Sequence, residues 1–186
     1  VSYPGEPPPG EGVDYRGSIE RRIGKSVANV PLDGWLHRMP GTGYDTPWNL
    51  DPPYQRGRVW TLAQAEAFVG FVAEGGRAPA IYVREMPNFC DEVVDGKQRL
   101  LALWAFVTGE IGARLEGGRV IWWRDFNVTD RRCFSRNAIP MIRLREDTST
   151  AEILRIYLRI NRGGTPHTDN EIQRVEALLA EATCEE

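Results

Sequence analysis

The chain has 186 residues, 41% of them hydrophobic and 26% charged, with a formal net charge of −3. That length and balance suit one soluble domain with a real core, and the mild acidity argues against indiscriminate nucleic-acid binding. No run approaches the roughly 20 apolar residues of a membrane helix and none opens the chain as a signal segment, so a cytoplasmic protein with no membrane partner is expected. Cys90, Cys133 and Cys184 are odd in number and lack nearby Cys or His, which points to neither a disulfide framework nor a zinc site.

Residues 1–17 carry Pro4, Pro7, Pro8, Pro9 and four glycines, predicting a flexible arm before a single domain over 18–186. Between Ser18 and Trp35 the pattern allows a short helix and a strand, and Pro40 to Thr46 reads as loop. Trp48–Asp51 reads as a short strand, with Pro52 and Pro53 forcing an extended exit. Thr61 and Gln64 make a capping box for a helix carrying Leu62, Ala65, Phe68, Val69 and Val72, stopped by Gly75-Gly76. β-Branched content predicts strands at Ala80–Arg84 and Glu92–Asp95. A helix from Lys97 to Thr108 follows, with Leu100, Leu103, Trp104 and Val107 on one face. Ile111–Glu116 and Arg119–Trp123 flank Gly117-Gly118 as a hairpin, and Ala138–Arg145 is another strand. Ser149 with Glu152 caps a helix to Asn161, and Thr168 with Glu171 caps the last one. The sum is an α+β (mixed α/β) domain with a small mixed sheet, flanking helices and a hairpin.

The most informative stretch is Val93-Val94-Asp95-Gly96-Lys97-Gln98-Arg99. A β-branched run enters an Asp-Gly turn, and an apolar helical pattern leaves it. The first backbone N–H groups of a helix have no partner within it; with the positive end of the helix dipole they suit an anion, above all a phosphate. Lys97, Gln98 and Arg99 add charge and directional hydrogen bonds there. Asp95, at the strand end, is placed to bind Mg²⁺ or to accept a proton from an attacking hydroxyl. As a plain turn residue it would instead bond neighbouring backbone N–H groups. Lys97 and Arg99 would neutralise charge on a transferred phosphoryl group, or else form a solvated helix face.

Two further stretches accompany this one: Tyr54-Gln55-Arg56-Gly57-Arg58-Val59-Trp60 upstream, and Arg159-Ile160-Asn161-Arg162-Gly163-Gly164 downstream. In this order the three motifs resemble the amino-terminal domain family of the GmrSD-type modification-dependent restriction endonucleases, from about Trp48 to Glu171. That family usually reads Asp-Gly-Gln-Gln-Arg, so Lys97 is a departure that adds a cation. The resemblance implies a ParB/sulfiredoxin-like fold, ATP or GTP with Mg²⁺ as cofactors, and DNA as substrate or regulator. It implies catalytic roles for Asp95, Lys97 and Arg99, with Asp95 as the Mg²⁺ ligand. It places Gly96, Gln98, Gln55, Arg56, Asn161 and Arg162 around the nucleotide, whereas Tyr54 and Trp60 pack. Asn161 also suits plain helix termination. Sulfiredoxin chemistry is not implied, because Asp95–Arg99 contains no cysteine.

Charge is unevenly spread. Residues 111–145 hold eight arginines against Glu116, Asp125 and Asp130, a local balance of +5. Arg119, Arg124, Arg131, Arg132 and Arg136 are the candidates for following a phosphate backbone. The alternative is compositional, since only Lys25 and Lys97 are lysines among 23 basic residues, as in a GC-rich genome.

Two function classes result. One is nucleoside-triphosphate-dependent phosphoryl transfer to DNA, as by a phage-type DNA kinase acting on a hydroxymethylated pyrimidine flipped from the duplex, in the host cytoplasm. The other is an NTPase or modified-DNA sensor of a restriction or defence system, signalling to a separate nuclease or to a second copy of itself. A degenerate, non-catalytic DNA-binding domain is a third reading. The two isolated histidines, His37 and His167, supply no nuclease centre, so that activity is not carried over.

Overall fold

A computed structural model describes residues 27–55, 57, 59–161 and 169–184. The 1–17 arm, Gly163-Gly164 and the Thr168 cap lie outside the described residues. The strands are β1 (Val27–Pro31), β2 (Ile81–Arg84), β3 (Glu92–Asp95), β4 (Ala113–Arg114), β5 (Val120–Ile121) and β6 (Ala138–Leu144). The helices are α1 (Leu32–His37), α2 (Leu62–Ala73), α3 (Lys97–Val107), α4 (Val128–Arg136), α5 (Thr150–Asn161) and α6 (Asp169–Cys184). The domain is α+β: a four-stranded mixed sheet in the order β1-β6-β2-β3, helices around it, and the β4–β5 hairpin.

β6 is antiparallel to β1 and parallel to β2, and β3 returns antiparallel to β2. A parallel pair needs a long crossover, which here contains β3, α3, the hairpin and α4. Alternation along β2 sends Ile81 and Val83 into one core and Tyr82 towards another. The larger core joins the sheet to α1, α2 and α3 through Trp35, Val69, Val93, Leu103 and Phe106. The smaller one lies under α5 and α6, where Tyr54, Val94, Leu144, Leu154, Tyr157 and Val175 meet. Each fully buried Leu, Ile, Val or Phe contributes about 1.5–3 kcal/mol. The sheet is thus held from both faces, and the loop that leaves β3 is held with it.

The Thr61–Gln64 capping box is present at the start of α2. Helix α4 is an addition to the sequence reading. Asn127 caps it by accepting from the Asp130 N–H, and Phe134 is its one buried residue. Phe134 stacks on Phe106 at 5.2 Å between centroids, and Trp123 and Phe126 complete that aromatic cluster. The hairpin strands are shorter than the apolar pattern suggests, two residues each. The segment expected as a strand over Trp48–Asp51 makes only one bridge, from Asn49 to Glu92. Its ladder ends because the Asp51 N–H turns onto the Asn49 side chain. Trp48 and Leu50 are nevertheless buried. Among the described residues no helix is long and apolar enough to cross a membrane.

Candidate functional site

The corner between β3 and α3 is built on Gly96. Its φ is 110°, and a Cβ added there would meet Ile81 Cγ1 at 2.7 Å. Only glycine fits on both counts. Gly96 is also the N-cap of α3 and brings no side chain to cap it. The first N–H groups of a helix have no partner within it, and such groups suit an anion.

Two ion pairs flank this glycine. Arg99 donates to Asp95 Oδ2 from one guanidinium nitrogen. With the other it donates to the carbonyls of Pro79 at 2.8 Å and Ala80 at 3.0 Å. Among the described residues, Asp95 Oδ1 accepts no hydrogen bond. On the other side, Lys97 Nζ donates to Asp51 Oδ1 at 2.5 Å. The Lys97 side chain is 7% exposed and that of Asp51 84%, so the carboxylate lies over a buried ammonium. Asp51 was not legible as a partner, because nothing in a separation of 46 residues marks the pair.

The upstream motif is laced onto the same corner. Gln55 Nε2 donates to the carbonyls of Val93 at 2.9 Å and Val94 at 2.7 Å. Gln98 Nε2 donates to the Gly57 carbonyl at 2.8 Å, and its Oε1 accepts from the Val59 N–H at 3.1 Å. Both amides therefore serve to hold the Tyr54–Trp60 segment against Val93–Gln98. Arg56 and Arg162 lie outside the described residues. Asn161 closes α5, and its side chain is likewise outside them.

A cavity of about 580 Å³ opens on the α5–α6 side of the sheet. Its floor is polar: Tyr54 Oη donates to Glu92 Oε2 at 3.3 Å, and Arg84 Nη1 lies 3.7 Å from the same oxygen. Arg84 Nη2 donates to the Thr148 carbonyl at 3.0 Å. Burial, and next the Glu92 charge, push the Tyr54 phenol above the ordinary tyrosine range. Leu154 and Leu178 form apolar walls. The sequence points to packing for Tyr54 and to no role for Arg84 or Glu92, whose one available signal is their charge inside otherwise apolar strands.

The arginines of 111–145 divide in two. Arg114 pairs with Glu66 at 2.6 Å, Arg143 with Glu85 at 3.0 Å, and Arg145 with Asp147 at 2.8 Å. Arg119, Arg132 and Arg136 are exposed and, among the described residues, make no ion pair. Arg124 lies over the Trp122 ring at 5.2 Å and Arg131 over Trp123 at 5.5 Å. Arg124, Arg131, Arg132 and Arg136 are thus grouped on α4 and the single turn before it, Trp123–Asp125.

No protein family, curated protein or solved structure compared with this chain matches it.

Proposed function

We propose that the protein is a nucleoside-triphosphate-dependent phosphoryl-transfer enzyme acting on DNA, a DNA kinase whose acceptor is the hydroxyl of a hydroxymethylated pyrimidine. What carries this reading is the state of Asp95. One of its oxygens is fixed by Arg99 and the other accepts no hydrogen bond among the described residues, beside a helix start whose N-cap, Gly96, has no side chain. A held carboxylate next to a helix N-terminus suits a proton acceptor adjoining a phosphate. The motif resemblance supports the same class and, with it, a ParB/sulfiredoxin-like ancestry and a cytoplasmic setting.

ATP or GTP with Mg²⁺ is the implied cofactor set. Among the described residues no three His, Cys, Asp or Glu side chains gather to hold a metal alone. Mg²⁺ is commonly held by one or two carboxylates plus substrate phosphates, so such a cluster is not required for it. With a single open oxygen Asp95 serves either as proton acceptor or as ligand to the ion, which, when bound, neutralises charge on the phosphates. In this reading the first turn of α3 orients the phosphate chain, and Arg99 keeps Asp95 aimed. The Arg124–Arg136 surface follows the DNA backbone.

The sensor reading has one observation in its favour. Gln98, Lys97 and Arg99 all make internal bonds, an arrangement compatible with binding a nucleotide without rapid turnover. Release and transfer of label from γ-labelled ATP and GTP, with and without modified DNA, separate the two.

A further inference from the structure

We infer that the cavity over Glu92 receives the base of the nucleotide and selects guanine. This rests on the nucleotide reading above and adds to it which base is taken and which residue reads it. At about 580 Å³ the cavity falls in the size range of small-molecule sites and holds a nucleoside. Pro53, the Tyr54 ring, Leu154 and Leu178 offer the apolar surfaces that a flat heterocycle requires.

Charge and hydrogen bonding then choose the edge. Among the described residues Glu92 and Glu181 line the cavity against Arg84, a negative balance unsuited to phosphates. Tyr54 donates to Glu92 Oε2, and among the described residues Oε1 accepts nothing. A carboxylate has about four acceptor positions, so most of Glu92 is left to a ligand. The Glu92 side chain is only 12% exposed, and a ligand that fails to donate to it would leave a desolvated acceptor unmet. Guanine alone among the common bases presents two adjacent donors, N1–H and the 2-amino group. Adenine and cytosine set a ring acceptor beside their amine, and uracil has one N–H between two carbonyls. A site built to bond a donor rejects analogues that lack it.

The two ends also match in distance. Arg84 pairs across the strands with Glu92, and Tyr82 with Asp95. A register shift between Tyr82 and Val83 leaves one extra β3 residue in that interval, so Glu92 and Asp95, three residues apart, stand at the two ends of β3. Three strand residues span about 10 Å, the order of the reach from a base edge to a terminal phosphate.

Calorimetry on the full chain tests this with guanosine, inosine, inorganic triphosphate and non-hydrolysable GTP and ATP analogues. The GTP analogue should bind at least tenfold more tightly than the ATP analogue, and inosine more weakly than guanosine. Glu92→Gln should erase the preference while leaving inorganic triphosphate affinity unchanged. Leu178→Trp, which fills the cavity from the opposite wall, should abolish guanosine binding with Glu92 intact. Triphosphate binding without any preference for guanine overturns the base assignment and leaves the phosphoryl-transfer reading standing. Guanosine binding without triphosphate binding does the reverse. If neither binds, both fall.

Discussion

Arg99 turns its guanidinium back one helical turn onto Asp95 and, with its other nitrogen, grips the carbonyls of Pro79 and Ala80. A residue expected to hold phosphate thus first fixes the direction of a carboxylate. Both partners are mostly buried, at 11% and 21% side-chain exposure. Removing one member of such a pair leaves an uncompensated charge and costs about 3–5 kcal/mol. Arg99→Ala should lower the denaturant midpoint accordingly. A midpoint within error of the wild type would mean that the pair holds nothing in place.

Asp95→Asn keeps the shape of the side chain and removes its power to accept a proton. Turnover should drop by about 10²–10⁴-fold, the usual worth of a positioned acid–base group. Circular dichroism should stay unchanged. Near-normal turnover would return Asp95 to the role of a turn residue.

Gly96→Ala meets two obstacles at once, a φ of 110° and a Cβ placed 2.7 Å from Ile81 Cγ1. The sum should be about 2–4 kcal/mol of stability. Thermal unfolding measures it. An unaffected melting temperature would show that the corner adapts at little cost.

Much of the domain was written in local signals. The Thr61–Gln64 box, the β-branched runs that became β2 and β3, and the apolar face of α3 each depend on residues a few positions apart. Asp95-Gly96 marked the corner for the same reason. Helix α4 escaped because a single buried residue, Phe134, gives no periodic stripe, although Asn127 and Asp130 held its cap in view. The Lys97–Asp51 pair and the Tyr54–Glu92–Arg84 group join residues remote in sequence. No spacing rule announces such contacts; only the folded sheet does.

Tyr54 gives the domain an alkaline weakness. Its phenol is raised above the ordinary tyrosine value of 10.0, chiefly by burial. The unfolded chain ionises first, so this stability is fully present below that value and is lost as pH rises beyond it. Phenolate absorbance should show tyrosine ionisation that appears only with unfolding, and Tyr54→Phe should reduce it by one tyrosine's worth. If every tyrosine titrates in the folded protein, the phenol is not buried as described.

The arginines on α4 should govern DNA affinity if they track phosphates. Replacing Arg131, Arg132 and Arg136 by Ala should reduce the slope of log affinity against log salt by about 2–3, since each phosphate that is no longer neutralised lowers it by about 0.9. Anisotropy titrations at several salt concentrations read this. An unchanged slope assigns the patch to composition.

Transfer of phosphate tests the central proposal most directly. The protein is incubated with γ-labelled ATP or GTP, Mg²⁺, and duplex DNA that contains or lacks a hydroxymethyl pyrimidine, and the DNA is then isolated. The account predicts label on the DNA only when the hydroxymethyl base is present, and none with Asp95→Asn. Label found solely as free phosphate, whatever the DNA, would contradict it.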